Sequence, residues 1–467
     1  MEIQPTIPAS KEKGIRPWLD PWLHRFYFHG AGIRHFIERR LRPAGIALVI
    51  VFALGTFLAA GHQKAPVFQL FSLSLGMVVI GIPWAMTRRA SVTARRDLPR
   101  FGTAGEPMRY TVRVRNVGRR KLTRAWIADT PPDPRPDRES FTLLREPGEE
   151  ERNAYDRFFA YYRWRWLLMG KRLFTGGHAA EDLSLDPGQE TRVTAELTPQ
   201  RRGVIRFDDL RLLLPDPFGL FQRCRHIAAP DATLLVLPRR FPLPPIELPG
   251  GAAFKISGEA NTNVIGNSGE FVGLRDYRPG DPLRQIHWKS WARTGRPIVK
   301  ELEDTHYPRF GLIVDTLSTD RNDVRFEEVI SVAASFAASL DTGDSLLDLM
   351  FIKNEAHRVT AGRGVERAEK LLEVLAGVTP ERSADFSALS RLVLRHRDDL
   401  TSCLVILNGW DDDRAEFLKS LTHGGVTCVA LIVGSGPAPD KLPGPWLESG
   451  KIAAALQRLP TRLLPNT

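Results

Sequence analysis

The chain has few cysteines, three among 467 residues. Cys224, Cys403 and Cys428 form no CxxC pair, and the last two lie in the apolar runs SCLVILN and VTCVALIV. This pattern excludes a disulfide framework and a cysteine-based zinc site, and it is typical of buried thiols in a reducing compartment. The remaining composition, 43% hydrophobic and 25% charged, is that of a globular protein with room for two or three domains.

Charge is absent from two stretches near the N-terminus, 43–61 (PAGIALVIVFALGTFLAAG) and 67–86 (VFQLFSLSLGMVVIGIPWAM). At about 1.5 Å per residue, each helix would reach roughly 28 to 30 Å, the thickness of a bilayer core. We therefore predict a two-helix transmembrane hairpin over 43–86, preceded by a basic segment, 1–42. The alternative is a buried hairpin in a soluble core, and the polar residues that come first disfavour a signal peptide.

Positive charges flank the two stretches, and only Lys64 lies between them. Because Lys and Arg concentrate on the cytoplasmic side of a membrane, the pattern predicts a multi-pass protein with both termini in the cytoplasm. The flanking residues are Arg25, Arg34, Arg39, Arg40 and Arg42 before the first stretch, and Arg88, Arg89, Arg95, Arg96 and Arg100 after the second.

The middle of the chain, 90–240, has the pattern of a β-rich domain. EPMRYTVRVRN (106–116) alternates apolar and polar residues, and LTRAWIAD, TRVTAELT, LRLLL and ATLLVLP are further candidate strands. Several short strands separated by turn signals predict a β-sandwich-like domain.

An insert at 153–177, NAYDRFFAYYRWRWLLMGKRLFTGG, interrupts these strands with eight aromatic residues and five Lys or Arg. Aromatic rings and basic groups suit a helix at the membrane interface. The same residues could pack structurally into the β domain or stack on single-stranded nucleic acid. The sequence leaves these three alternatives open.

The region 305–467 alternates buried runs with amphipathic ones, which predicts a doubly wound α/β domain with a parallel sheet. RFGLIVDT, SLLDLMFIK, CLVILNG and VTCVALIVG are the expected strands. A Pro-rich and then Gly-rich stretch, 241–268, predicts a linker between this domain and the β-rich one.

Acidic residues follow two of the α/β strands, Asp315 after the first and Asp411 to Asp413 after CLVILNG. This arrangement resembles the von Willebrand factor type A fold, whose metal site takes oxygen ligands from such positions. Here Leu317 stands where a hydroxyl is needed, although Thr319 could supply a second one. We therefore expect a degenerate site at Asp315, Thr319 and Asp411 that binds no metal, and no Mg²⁺ or other cofactor.

The stretch GEFVGLRDYRPGDPLRQIHWKSWARTG, within 269–304, combines turn signals with basic and aromatic residues. Pro279 and Gly280 predict a type II turn, and Asp281 predicts the N-cap of a helix from Pro282 to about Thr294 that stops at Gly295. On such a helix Arg284 would stack on Trp288. The turn and helix would form a docking face, with these residues: Arg275, Asp276, Tyr277, Pro279, Gly280, Asp281, Arg284, Trp288, Lys289 and Arg293.

This stretch resembles the signature of the bacterial family catalogued as domain of unknown function 58. DPFGLF (216–221) and the run ending at Arg240 resemble the residues that precede it in that family, so the resemblance extends over nearly the whole chain from residue 43. It implies a protein of the bacterial inner membrane encoded beside MoxR-type AAA+ ATPases. Partners implied in the same way are other von Willebrand factor type A and transglutaminase-like membrane proteins.

Three functions are compatible with these features. The first is a membrane-anchored adaptor that docks protein partners, because Trp and Arg dominate binding hot spots. The second is a hydrolase-like enzyme using Asp276, Asp281 and His287, although no nucleophile or complete catalytic constellation accompanies them. The third is nucleic-acid binding through the net charge of +11, which is not expected because much of the positive excess flanks the apolar stretches. We therefore predict an adaptor that is not an enzyme.

Overall fold

A computed structural model divides the chain into two compact units, with the boundary in the sequence between Val236 and Leu237. The described residues are 19–61, 65–146, 148–179, 182–246, 248–249, 265–281, 283–303, 309–318, 324–339, 346–353, 355–361, 365–381, 386–461 and 463. Most of the predicted linker lies outside these ranges. Its described beginning is packed, because Ile246 and Leu248 are buried and the Phe241 N–H donates to Ser335 Oγ at 2.8 Å.

The N-terminal unit begins with three helices, α1 (Asp20–Arg40), α2 (Pro43–Gly61) and α3 (Ala65–Thr87). Helices were predicted at α2 and α3. Among the described residues, only Phe68–Thr87 is long and apolar enough to cross a membrane, and Pro43–Phe57 is a shorter apolar helix. Helix α1 was missed because its apolar residues point in two directions. Leu19 and Leu23 are buried, whereas Trp22 and Phe26 are exposed, so no single stripe marks the helix.

Two sheets form the β-rich domain that the sequence predicted. The larger has the order β1-β3-β7-β5-β4-β9-β10 with β6 on β4, and the smaller has the order β2-β11-β8. The strands are β1 (Val92–Asp97), β2 (Phe101–Thr103), β3 (Met108–Asn116), β4 (Leu122–Asp129), β5 (Phe174–Ala179), β6 (Leu183–Leu185), β7 (Glu190–Pro199), β8 (Gly203–Phe207), β9 (Leu210–Pro215), β10 (Gln222–His226) and β11 (Ala232–Leu237).

Alternation along β3 places its side chains as expected, with Tyr110, Val112 and Val114 in the core. One flanking arginine is not at the surface. Arg96 is buried on β1, where its Nη2 lies 2.6 Å from Asp129 Oδ1, and the Tyr110 hydroxyl donates to the same carboxylate at 2.7 Å. Arg96, one of the flanking arginines from which the membrane orientation was predicted, therefore lies in the core of the β domain.

The aromatic insert forms two helices that pack on α1. They are α5 (Ala154–Phe159) and α6 (Tyr161–Lys171), preceded by α4 (Arg138–Leu143). Trp164 and Leu167 are buried with Leu19 and Leu23. The buried face of the insert therefore packs structurally, as one of the three alternatives predicted. Its other aromatic residues are exposed, and these are Tyr155, Phe158, Phe159 and Tyr161.

The turn DPFGLF joins the β domain to the apolar helices. Asp216 Oδ1 accepts hydrogen bonds from the N–H groups of Leu220 and Phe221 at 2.7 and 3.0 Å. A Cβ on Gly45 would lie 2.1 Å from the Leu220 carbonyl oxygen, and a Cβ on Gly81 would lie 2.9 Å from the Phe221 ring. Gly45 therefore lets the backbone of the turn approach α2 closely, and Gly81 lets the Phe221 side chain approach α3.

The C-terminal unit contains a hairpin and an α/β layer. The hairpin pairs β12 (Ile265–Asp276) with β13 (Ile298–Glu303), and α7 (Trp288–Thr294) lies in its connection. The layer contains β14 (Arg309–Val314), α8 (Val324–Ser339), β15 (Leu346–Lys353), β16 (Glu355–Ala361), α9 (Val365–Ala376), α10 (Phe386–Arg395), β17 (Ser402–Asn408), α11 (Asp412–His423), β18 (Cys428–Gly434), β19 (Trp446–Glu448) and α12 (Ile452–Gln457).

The sheet order in this layer is β16-β15-β14-β17-β18-β19. All neighbours are parallel except β15 and β16. The parallel, helix-covered sheet was predicted from its buried runs. The edge strands β16 and β19 were not, because the first carries polar residues and the second has only three residues.

Candidate functional site

The sheet of the C-terminal unit changes winding direction at β14, because the next strand in the chain lies on one side of it and β17 lies on the other. Ligands of open α/β sheets bind at such a point, beyond the carboxyl ends of the strands. Asp315 follows β14, and Asp411 lies three residues after the end of β17. We call Asp315, Asp411 and Arg414 the switch-point cluster.

Asp315 is held by donors from three directions. Its carboxylate accepts the Leu317 N–H at 2.9 Å, the Asn408 N–H at 2.9 Å and Arg414 Nε at 2.8 Å. Complete burial raises the pKa of Asp315 above its ordinary value, while Arg414 and the two N–H groups counteract that rise. The carboxylate thus depends on its donors to carry charge in the interior.

Arg414 connects the two acidic residues of the cluster. It forms ion pairs with both Asp315 and Asp411. Its guanidinium carbon lies 5.4 Å from the centre of the Phe386 ring. Asp411 also caps α11, since its side chain accepts the Arg414 N–H at 3.0 Å. One side chain therefore supplies the positive charge between the two carboxylates.

This geometry bears on the degenerate metal site expected from the sequence. Asp315 and Asp411 do come together, and Thr319 lies outside the described residues. The two carboxylates already bind a guanidinium, and the described ranges contain no group of three His, Cys, Asp or Glu suited to a metal ion. The donor set does not fit a divalent cation while Arg414 is in place. Sequence reasoning missed Arg414, although its position three residues after a helix-capping Asp was a usable signal.

A second group of predicted residues lies in the connection of the hairpin, 275–295, which we call the signature turn. Arg275 donates from Nη1 and Nη2 to the two oxygens of Asp281, at 2.7 and 2.8 Å. The Asp281 N–H donates to the Arg278 carbonyl at 3.0 Å, and Gly280 has φ +108°, so the predicted type II turn through Pro279 is confirmed. Arg275 and the Arg278 N–H lower the pKa of Asp281 to about 2.

The predicted start of the helix after this turn is wrong. Asp281 does not cap it. Its carboxylate turns back to the Arg278 N–H at 2.8 Å. A 3₁₀ turn spans Leu283–Gln285, and α7 begins only after His287. The chain breaks there because the His287 N–H donates to Ile298 O on β13 at 2.8 Å, so hairpin pairing interrupts the helix. The end at Gly295, with φ +71°, is confirmed.

This break changes the predicted stacking. Arg284 and Trp288 no longer share one helix face, and Trp288 instead stacks on Trp291, with ring centres 5.3 Å apart and planes at 18°. The Trp288 side chain is 64% exposed. Arg284, Lys289 and Arg293 are exposed around it, so the basic and aromatic character of the predicted face is retained.

Two of the three acid and base groups considered for catalysis, Asp281 and His287, have side-chain contacts within the signature turn. The third, Asp276, is the exposed last residue of β12. The Tyr277 N–H after it donates to Pro297 O at 2.9 Å. His287 Nδ1 lies 2.6 Å from Ser290 Oγ. Asp281 is engaged with Arg275, as described above. These contacts brace the signature turn.

Comparison with known proteins gives a family-model match that covers both the signature turn and the switch-point cluster. Residues 273–438 match the family model described as Protein of unknown function DUF58. This match supports the family resemblance predicted from the sequence. The match is shorter than the sequence resemblance suggested, since it begins within β12 and ends shortly after β18. The signature turn and the switch-point cluster both lie inside this DUF58 region.

A curated relative extends beyond the DUF58 region. The chain is 28% identical over 238 residues to Uncharacterized protein YeaD of Bacillus subtilis strain 168. That alignment covers 50% of this chain and 57% of the relative, so the chain spans little more than half of the relative's length.

Solved structures give only weak similarities. The CARDB domain of PF1109 from Pyrococcus furiosus aligns at 14% identity over 32% of this chain and 93% of its own, with a TM-score of 0.17. Proximal thread matrix protein 1 of the mussel byssus aligns at 13% identity over 32% of this chain and 39% of its own, with a TM-score of 0.21. At these scores neither similarity supports an argument about fold or function.

Proposed function

We propose that this chain is a membrane-anchored adaptor whose DUF58 region docks a protein partner, working with a MoxR-type AAA+ ATPase in assembly or quality control. The observation that carries the proposal is the exposed Trp288, stacked on Trp291 among basic residues of the signature turn. A rigid stacked pair loses little side-chain entropy on binding, and Trp and Arg are the residues most enriched in binding hot spots.

The turn supports docking by being preorganised. The Arg275–Asp281 pair and the Gly280 turn fix the backbone that leads to α7, and His287 ties the start of α7 to β13. Partner binding would then require little reordering of the loop, which favours affinity. Basic residues around the tryptophans favour a partner with an acidic surface.

The anchor is supported by the outward faces of the N-terminal helices. Apolar side chains are exposed along α2 and α3, among them Ile50, Leu54, Phe57, Leu73, Val79 and Ile80. We propose that both helices span the bacterial inner membrane as a hairpin, with both termini in the cytoplasm as the flanking arginines indicate. Trp22, Phe26 and Phe36 form an exposed aromatic row on α1 that suits the membrane interface.

The α/β layer of the C-terminal unit also supports the adaptor proposal. Its strand order and its acids after β14 and β17 agree with a von Willebrand factor type A-like domain, which we propose as its fold. With Arg414 already on the two carboxylates, such a domain would bind partners without a metal ion. Other von Willebrand factor type A or transglutaminase-like membrane proteins are further partners implied by the family.

A capture experiment tests docking. Tagged full chain is co-expressed with the MoxR-type ATPase of the same genome, and the captured ATPase is quantified for the parent, Trp288→Ala and Tyr155→Ala. Tyr155 is the matched control, since it is 71% exposed and its ring centre lies 4.7 Å from that of Phe159, but it belongs to the N-terminal unit. We expect Trp288→Ala to weaken capture at least about tenfold, the loss of a hot-spot side chain, and Tyr155→Ala to leave it unchanged. Equal capture by all three proteins would refute docking through the signature turn.

A further inference from the structure

A cavity of about 400 Å³ opens where α3 leaves its apolar stretch. It lies between the end of α1, the last turns of α3, and β10, in the N-terminal unit. The isolated bridge between Leu41 and Phe221 and the hydrogen bond from Cys224 Sγ to Arg39 O at 3.0 Å connect the end of α1 to the β10 region beside the cavity. Because Ile82, Ala85 and Met86 line it, the cavity adjoins the apolar helix α3 directly.

The lining of the cavity divides into two chemical zones. The apolar zone is formed by Phe36, Leu41, Ile82, Ala85, Met86 and Phe221. The basic zone is formed by Arg40, Arg223 and Arg225, and the described residues that line the cavity include no Asp or Glu. Three positive charges beside an apolar surface fit an amphiphilic anion.

Backbone contacts hold two of these arginines in place. Arg223 Nη1 donates to the carbonyl oxygens of Met86 and Arg88, the latter at 3.1 Å, and Arg225 Nη1 donates to Ala90 O at 3.2 Å. The guanidinium carbon of Arg40 lies 5.4 Å from the centre of the Phe36 ring. Carbonyl groups orient a guanidinium without cancelling its charge, so the remaining N–H groups keep their affinity for a phosphate.

The position of the cavity identifies the source of the anion, given the membrane anchoring proposed above. Ile82 and Met86 are exposed in the last turns of the apolar stretch Phe68–Thr87, where a spanning helix would leave the hydrocarbon core. The cavity would then lie at the depth of the lipid head groups on the cytoplasmic side. Basic pockets at this depth beside spanning helices suit anionic phospholipids.

We propose that this cavity binds one anionic phospholipid, with its phosphate on Arg40, Arg223 and Arg225 and its upper acyl chain on Ile82, Met86 and Phe221. A free inorganic phosphate would satisfy the arginines but leave the apolar zone uncovered. A bilayer lipid satisfies both zones. The inference rests on the proposed membrane anchoring, which its test examines separately.

Cys224 provides a built-in reporter, because it lines the cavity and is half-buried while Cys403 and Cys428 are buried in the other unit. The full chain is reconstituted in phosphatidylcholine vesicles with or without phosphatidylglycerol, and the rate of thiol labelling is measured. Cys224→Ser establishes that the signal comes from this thiol. Further samples in phosphatidylcholine contain inorganic phosphate or glycerophosphate.

We expect phosphatidylglycerol to slow Cys224 labelling and the two soluble phosphates to leave it unchanged. Arg40→Gln removes one lipid contact without breaking a backbone contact of β10. It should weaken the protection roughly fivefold, the factor for one basic residue at an anionic membrane surface. Arg40→Lys should retain most of the protection. Arg109→Gln, an exposed arginine on β3, is the control that removes a charge elsewhere.

Vesicle flotation separates the two proposals. If the chain floats but phosphatidylglycerol does not protect Cys224, or if Arg40→Gln and Arg109→Gln behave alike, the lipid site is refuted and the anchor stands. Protection by inorganic phosphate alone would identify a phosphate site and overturn the lipid assignment. If the chain fails to float, the anchor is refuted and the lipid site with it.

Discussion

The six-stranded sheet of the C-terminal unit carries an arginine–carboxylate cluster at each end, and the two clusters are built differently. At the amino end, Asp348 on β15 is 0% exposed and binds Arg309 at 2.9 Å, Arg358 at 2.7 Å and the Thr360 hydroxyl at 2.6 Å. At the carboxyl end, one arginine, Arg414, binds two acids.

The difference lies in which elements supply the groups. The amino-end residues stand on β14, β15 and β16, so strand pairing fixes them and they fix the antiparallel edge strand in return. The carboxyl-end residues come from the segments after β14 and β17 and from the first turn of α11. The arginine–carboxylate cluster at the amino end therefore stabilises the sheet itself. The cluster at the carboxyl end lies where open α/β sheets bind ligands.

The largest effect is expected at the amino end. Asp348→Ala leaves Arg309 and Arg358 without their shared carboxylate and should cost about 3 kcal/mol of unfolding free energy, the low end for a broken buried pair because both arginines reach solvent. Urea-dependent labelling of Cys403 and Cys428, in a Cys224→Ser background, reports unfolding of this unit. Asp399→Ala, whose exposed carboxylate lies 4.0 Å from Arg358, is the control and should change little. Equal stability of the two variants would contradict the scaffold role.

Arg414→Met should destabilise the same unit by about 2 kcal/mol at neutral pH, less than Asp348→Ala because two backbone N–H groups still bind Asp315. Without Arg414 the pKa of Asp315 rises further. The folded variant then keeps a proton on Asp315 at pH values where the folded parent, whose own Asp315 pKa is raised less, has already lost it. The unfolded states of the two proteins titrate alike, so the deficit should grow as pH rises through the pKa of Asp315 in the folded parent and shrink below it. The thiol-labelling midpoints at pH 4 and pH 8 measure this, and a deficit independent of pH would exclude Asp315 as its source.

Asp411→Ala should have a smaller effect, about 1 kcal/mol, because the half-exposed side chain chiefly caps α11. Asp412→Ala and Asp413→Ala are matched controls, since these neighbours lie in the first turn of the helix but do not cap it. Thiol-labelling midpoints again provide the measurement. A loss as large as that of Arg414→Met would show that Asp411 governs the cluster electrostatically and is more than a cap.

The smallest effect is expected at the Arg275–Asp281 pair of the signature turn. Asp281→Asn should speed amide hydrogen exchange at Arg278 at neutral pH while leaving the unfolding midpoint unchanged. Because the folded pKa of Asp281 is about 2, against an ordinary 3.8, the stabilisation is complete above about pH 4 and is lost as pH falls toward 2. Parent and variant exchange rates, corrected for intrinsic chemistry, should therefore converge with acidification. A constant ratio from pH 7 to pH 3 would assign the protection to another group.

Much of the fold could be predicted because its signals are local. Alternation marks β3, a buried run marks β17, and the Pro-Gly pair marks the type II turn. The family was also predicted correctly, from the residues of the signature turn.

The errors arose where distant groups decide the outcome. Helix α7 starts late because the His287 N–H donates to β13. Arg96 is buried because it forms an ion pair with Asp129, which lies on another strand. Arg414 was missed because its partner Asp315 is 99 residues away. Tertiary contacts of this kind leave no periodic signal in the sequence.

The glycine contacts at the DPFGLF turn have a mechanical consequence. Because the backbone of the turn lies against α2 at Gly45 and the Phe221 side chain lies against α3 at Gly81, the β-rich domain contacts both apolar helices directly at this turn. The Arg42 N–H also donates to Leu220 O at 3.0 Å. A force on the β-rich domain is therefore transmitted through this turn directly to α2 and α3.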